Sequence, residues 1–275
     1  MKIDYIESNK KLLPNIESPS KHFYYSGLNY IEVGYLVSKD QLGHYFDNTN
    51  LIPYLFNGKA CITINYQQYF SNFQNGHGET QEIEIGVYCI PRLYKEKVPT
   101  LDLKDFLMGE DQTKLIGIYR IFVPCDDELA IDAGINKFGE PKFLANFKSS
   151  MPSYNDLLVR DWKISCNEFE DHRTMIFSLE INLEGLPRTI SNISPITYYG
   201  YRDGELIGSR WNIHQPLDTF FIPENCENKV NLMFGSTTNN MGIEIKKILN
   251  GIEPFYIREH INKPVAIQSR PFFVV

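Results

Sequence analysis

Apolar side chains recur at every second position through much of this chain. Residues 60–70 (ACITINYQQYF) and 82–90 (EIEIGVYCI) alternate in this way. Such a pattern turns one face of an extended strand inward and the other outward. Residues 30–37 and 115–123 read as two more strands, the latter ended by Asp126-Asp127. Between 60–70 and 82–90, SNFQNGHG (residues 71–78) has the composition of a turn. Ser38, with Gln41 three positions on, predicts a capping box opening a short helix through about Phe46. Residues 101–108 read as a short helix within an excursion.

The second half repeats the pattern. Residues 160–169 and 174–183 predict one hairpin, and 198–201 with 206–211 another, turning at Asp203-Gly204. Met241, Ile245, Ile248 and Leu249 fall on one helical face, with Gly251 placed to end that helix. Residues 265–275 close with an apolar strand. Many short strands, few helices and no β–α rhythm predict a mainly β (α+β) fold, an antiparallel barrel-like sheet with a few peripheral helices. No fixed-period repeat or low-complexity linker divides the 275 residues, so one domain is expected, with residues 1–22 as an arm.

Composition narrows the function classes. The 17 Tyr and 18 Phe support β structure. The net charge is −7 and no basic cluster is long enough to track a phosphate backbone, so no nucleic-acid partner is expected. No apolar run reaches membrane-spanning length, and the first residues lack the apolar core of a secretory signal; a cytoplasmic protein is the expectation. The five cysteines are odd in number and lack metal or redox spacing, and so read as reduced thiols. The six histidines are scattered without a ligand motif, so no metal is expected. Gly76-His77-Gly78 lacks the third glycine of a dinucleotide fingerprint, and no P-loop or nucleophile elbow occurs.

Residues 126–147, DDELAIDAGINKFGEPKFLANF, stand apart. An apolar stretch runs into Gly134, residues 136–139 have turn composition, and Pro141 fixes φ just before Lys142. Phe143 and Leu144 follow. A free lysine amine, with a pKa of about 10.4, is protonated at neutral pH and cannot attack a carbonyl. Burial disfavours the charged form, and the neutral amine then adds to a ketone and loses water. The protonated imine is an electron sink for breaking a neighbouring C–C or C–H bond. The other reading is a lysine that snorkels from a turn into solvent.

The segment from Gly134 through Pro141-Lys142 to Ala145 resembles the active-site segment of the acetoacetate decarboxylase family, where a Pro-Lys pair supplies the Schiff-base lysine. Residues 128–134 are similar to that family's lead-in strand. Upstream, Gly76-His77-Gly78 and Glu82 resemble its glycine turn and catalytic glutamate, with Glu79 and Glu84 as rivals; Glu82 also fits an outward polar position on an alternating strand. The resemblance, weaker from about Tyr30 to the C-terminus, implies a cone-like antiparallel β barrel with the lysine inside, a homo-oligomer, and no cofactor. It also implies a lyase acting on a small keto acid, with Lys142 and Glu82 catalytic.

Several positions depart from that pattern. Phe143 replaces the second lysine that directly follows the reactive one, so activation of Lys142 is expected to rest on desolvation. Leu28 stands where the family carries an arginine, Gln67 where an acid is expected, and Glu140 where an aromatic residue precedes Pro-Lys. The stretch between Glu82 and Lys142 is longer here, with the excess at residues 93–114. Gln67, Glu140 and Phe143 are the positions expected around the substrate. Decarboxylation of a β-keto acid leads. An imine-forming aldolase or dehydratase on pyruvate-like substrates, and a non-enzymatic small-molecule-binding barrel, remain open.

Overall fold

The computed structural model describes residues 24–73, 76–153, 159, 161–213, 216–224, 226, 228–263, 267–268 and 271–274. The expected N-terminal arm lies outside them. Strand β1 (Tyr24–Val37) ends at Ser38, whose hydroxyl accepts from the Asp40 N–H while Gln41 accepts from the Ser38 N–H. The capping box is thus present, but it opens two 3-10 turns, Lys39–Gln41 and Gly43–Tyr45, in place of the expected helix. Gly43 interrupts the turn, and glycine is a poor helix former. Short strands β2 (Leu51–Pro53) and β3 (Leu55–Phe56) lead into two long ones, β4 (Lys59–Phe73) and β5 (Gly76–Pro91). Gly76-His77-Gly78 therefore belongs to β5, and residues 74–75 of the expected turn lie outside the described residues.

The 93–114 excursion holds a 3-10 segment, Arg92–Lys97, and helix α1 (Leu103–Leu107). Strand β6 (Gly117–Cys125) follows. Residues 128–134 are not a strand. They form most of helix α2 (Glu128–Phe138), capped by the Asp127 carboxylate on the Ala130 N–H at 3.0 Å and ended by Gly139 at φ +63°. The caps at both ends favour a helix, and the expected turn at 136–139 is its last turn. Strands β7 (Lys142–Ser150), β8 (Asp161–Glu168) and β9 (Met175–Asn182) come next, then β10 (Arg188–Ser191). The second predicted hairpin is β11 (Ile196–Arg202) and β12 (Glu205–Ile213). Strands β13 (Leu217–Phe221) and β14 (Val230–Phe234), helix α3 (Asn240–Leu249) and strand β15 (Pro254–Lys263) complete the body. Of the expected closing strand, the described residues form β16 (Ile267–Gln268) and β17 (Pro271–Phe273), both paired with β12, and residues 265–266, 269–270 and 275 lie outside them.

The pairing order β10–β13–β15–β1–β4–β5–β6–β11–β12 curls one sheet into a half-barrel. Most neighbours are antiparallel, but β6 pairs in parallel with β11 and with the start of β7. Strand β7 then leaves the half-barrel and continues into a second sheet, β7–β8–β9–β14. Between the two sheets lies the main core, where Ile31, Ile62, Ile64 and Ile85 meet Trp162, Phe177 and Leu179, with Ile245 and Leu249 of α3. Burying a large apolar side chain of this kind contributes roughly 1.5–3 kcal/mol. Because side chains alternate, the same strands turn their other positions into the curl. Among the described residues, no helix is long and apolar enough to cross a membrane.

Candidate active site

Strand register sets the inner face of the half-barrel in layers. Tyr30 lies opposite Gln67, and Gln67 opposite Glu82. One step along, Glu32 faces Asn65 and Asn65 faces Glu84. One step the other way, Leu28 faces Tyr69. Glu82 and Glu84, two residues apart on β5, therefore point to the same side. Lys142 enters this face as the first residue of β7, fixed by the parallel pairing of Val123 with Lys142 and by the Val123 N–H donating to the Pro141 carbonyl at 3.3 Å.

The Lys142 side chain is only 6% exposed and its ammonium donates to Glu82 Oε2. Glu140 Oε2 stands 3.6 Å from the same nitrogen. Glu140 also accepts from Arg120 Nη1, and Arg120 Nη2 lies 2.5 Å from Glu84 Oε1. Asn65 donates to Glu84 Oε2 at 3.1 Å, and Tyr69 to Glu82 Oε2 at 3.3 Å. The Arg120 guanidinium stacks 3.7 Å from the Tyr198 ring centroid, leaving Nε buried without a hydrogen-bond partner. Two cations and three carboxylates thus share one buried cluster. It borders a cavity of about 60 Å³, which also touches Gln67, Phe138 and Trp211. At about 10–15 Å³ per water, that is space for a ligand of a few heavy atoms.

Helix α2 closes one side of this cavity with Ala130, Ala133, Gly134 and Phe138. Gly134 leaves room there: a Cβ would lie 2.5 Å from Lys142 Cε and 2.6 Å from Glu140 Oε2, so those side-chain ends would have to shift. The lysine is threaded over bare helix backbone. Gly139, at positive φ, sits against the Tyr201 backbone, where a Cβ would fall 2.0 Å from the carbonyl oxygen. Its turn sends the chain from α2 directly into Glu140, Pro141 and Lys142.

Electrostatics correct one expectation. Burial acts to lower the Lys142 pKa, but Glu82 and Glu140 outweigh it and hold the amine above its usual value. The resting lysine is an ammonium. The opposite displacement falls on Glu84: burial pushes its carboxyl up to about 7, Arg120 pulls it down, and Glu82 and Glu140 push it up. Burial and the neighbouring carboxylates thus favour the protonated form of Glu84 to a higher pH than in a free carboxyl.

Of the sequence-predicted positions, Lys142, Glu82, Gln67 and Glu140 meet at the cavity. Phe143 does not. One residue on from Lys142 along β7, it projects to the opposite face and packs into the main core. Arg120 is the arginine that the cavity possesses; Arg188 is 59% exposed and paired with Asp218, and Arg210 is exposed. Sequence reasoning missed the placement of Arg120, Gly134, Tyr198 and Trp211. An arginine inside the apolar run Ile118–Phe122 was the available signal for the first. Among the described residues, no group of three His, Cys, Asp or Glu side chains is arranged to hold a metal ion.

No protein-family model matches the chain. No curated protein matches it either. Solved structures do. The enduracididine biosynthesis enzyme MppR complexed with pyruvate superposes with a TM-score of 0.60 at 11% identity, covering 94% of this chain and 93% of that one. The same enzyme is also solved with the condensation product of pyruvate and imidazole 4-carboxaldehyde (TM-score 0.60, 10% identity, 94% and 92% covered). An acetoacetate decarboxylase-like enzyme from Sphingomonas wittichii RW1 gives 0.54 at 12% identity, with 94% of each chain covered. Acetoacetate decarboxylase from Legionella pneumophila subsp. pneumophila str. Philadelphia 1 gives 0.53 at 12%, covering 97% of this chain and 98% of that one. The chain has the acetoacetate decarboxylase-like fold.

Proposed function

We propose that this chain is a cofactor-independent lyase that forms an imine between Lys142 and a small β-keto acid and releases CO₂ from it. The observation that carries this reading is the buried Lys142–Glu82 pair beside a cavity of keto-acid size. Glu82 accepts the ammonium proton, the Lys142 lone pair adds to the substrate carbonyl, and one of the two protons left on the nitrogen moves to the alkoxide to give a hydroxyl. Glu82 returns that proton to the departing hydroxyl as water leaves, giving the iminium. The bond to the carboxylate then breaks, its electron pair moves toward the iminium nitrogen, and CO₂ departs. The enamine takes a proton on carbon and water releases the ketone. A positioned acid–base group of this kind is worth about 10²–10⁴ in rate.

Arg120 fits the step. Its charge is balanced by Glu84 and Glu140, and it lines the cavity beside Lys142 where a substrate carboxylate would lie. A tightly held carboxylate would be stabilised more in the ground state than in the transition state, where its charge is leaving.

A second reading has an observation of its own. MppR, which is solved with pyruvate and with a pyruvate condensation product, shares this fold at the higher TM-score. Aldol or dehydration chemistry through the same imine follows from that likeness. CO₂ evolution separates the two. The account predicts CO₂ from acetoacetate that depends on Lys142. Deuterium exchange into the pyruvate methyl group without any CO₂ from acetoacetate would replace decarboxylation with the second reading.

A further inference from the structure

We infer that the pocket selects a substrate whose part beyond the reacting carbonyl is uncharged and apolar, and discriminates against one carrying a second carboxylate there. This rests on the reading of Lys142 as the reacting amine, and it follows from the layers of the half-barrel. On one side of the Lys142–Glu82 level lie Glu84, Arg120, Glu32 and Arg258. Their cations are already matched: Arg120 by Glu84 and Glu140, Arg258 by Glu32 at 2.6 Å. On the other side Leu28 packs with Tyr69 and Leu217, with Tyr30 at the Glu82 level and Ile213 against them. All five border the cavity.

Among the described residues that line the cavity, the cations are Lys142 and Arg120 alone. Iminium formation preserves the charge of Lys142 and adds none. Arg120 already faces two carboxylates, so it and the iminium balance at most a single departing carboxylate. A second carboxylate would meet the excess of carboxylates on one side or, on the other, the collar with only neutral donors such as Gln67 and Trp211 Nε1 nearby, and a buried charge without a cationic partner is expensive. An alkyl or aromatic substituent loses nothing in the same place and leaves water.

Two β-keto acids of similar size test this. Purified protein is incubated at equal concentrations with 3-oxohexanoate or 3-oxopentanedioate, reduced with borohydride, and the adduct on Lys142 is followed over time. Labelling by 3-oxohexanoate is expected to be at least tenfold faster. Ile213→Arg, at a half-buried position, is expected to speed labelling by the diacid several-fold. Equal or faster labelling by the diacid in the unaltered protein would overturn the inference. Binding of 3-hydroxyhexanoate and 3-hydroxypentanedioate, which form no imine, reads the same preference by calorimetry. Absence of any adduct together with at least tenfold tighter binding of the monoacid would remove the imine and leave the pocket preference standing. A diacid bound as tightly as the monoacid would overturn the preference whatever the labelling shows.

Discussion

Two buried ionic clusters lie side by side inside the half-barrel, and they differ in one respect that matters. Around Arg258, a single carboxylate, Glu32, accepts from Nε at 2.9 Å and Nη2 at 2.6 Å, and from the hydroxyls of Tyr30 and Tyr256 at 2.6 Å each. One cation meets one anion, two tyrosine hydroxyls donate to that anion, and Arg258 Nη1 is buried without a hydrogen-bond partner. Around Lys142 and Arg120, three carboxylates meet two cations, and a cavity adjoins them. Burial and residue types are nearly the same. What separates the two is the odd carboxylate and the space beside it.

The largest effect should come from the amine. Lys142→Arg keeps a buried cation between Glu82 and Glu140 but cannot form an imine; turnover is expected to fall by at least about 10³ while the unfolding transition persists. Glu82→Gln should follow, lowering kcat by about 10²–10⁴. The Arg258 cluster should behave in the opposite way. Glu32→Gln leaves a buried guanidinium uncompensated, costing roughly 3–5 kcal/mol in denaturant unfolding, with labelling of Lys142 retained in the folded fraction. If it instead abolished labelling in folded protein, the two clusters would not be separable.

Gly134→Ala should move function more than fold. The helix gains about 1 kcal/mol in intrinsic propensity, while the new methyl displaces the lysine chain. A tenfold or greater loss of labelling rate with an unfolding midpoint near that of the unaltered protein is expected. The smallest effect concerns pH. Glu84 is raised from about 4.5 to about 7 in the folded state, so the folded chain binds more protons than the unfolded one between these values. Its contribution to stability is full below about 4.5 and declines as pH rises to about 7. Glu84→Gln should flatten that decline in midpoint-against-pH plots, and an unchanged slope would remove Glu84 as the proton holder.

The strands and the α3 helix were legible because alternation and 3.6-residue periodicity survive wherever one face is buried, as in residues 60–70 and at Met241, Ile245 and Leu249. Helix α2 stands where the resemblance implied a lead-in strand at residues 128–134, and what decides for the helix is the Asp127 cap at its start and Gly139 at its end. The pairing of Glu82 with Glu84 follows from period two. Arg120 does not follow so easily: its neighbours Glu84 and Glu140 lie 36 and 20 positions away, and only the β5–β6 register and the α2–β7 turn bring the three together. For the same reason the charge of Lys142 could not be read locally. Proline and phenylalanine flank it in sequence, but two glutamates surround its nitrogen in space.

The central claim is that Lys142 is a reacting amine, and borohydride trapping tests it most directly. Protein incubated with acetoacetate, and separately with pyruvate, then reduced and digested, should carry the corresponding added mass on the peptide containing Lys142, and Lys142→Arg should carry none. Unmodified Lys142 after reduction with both ketones, in protein shown to be folded, would contradict it.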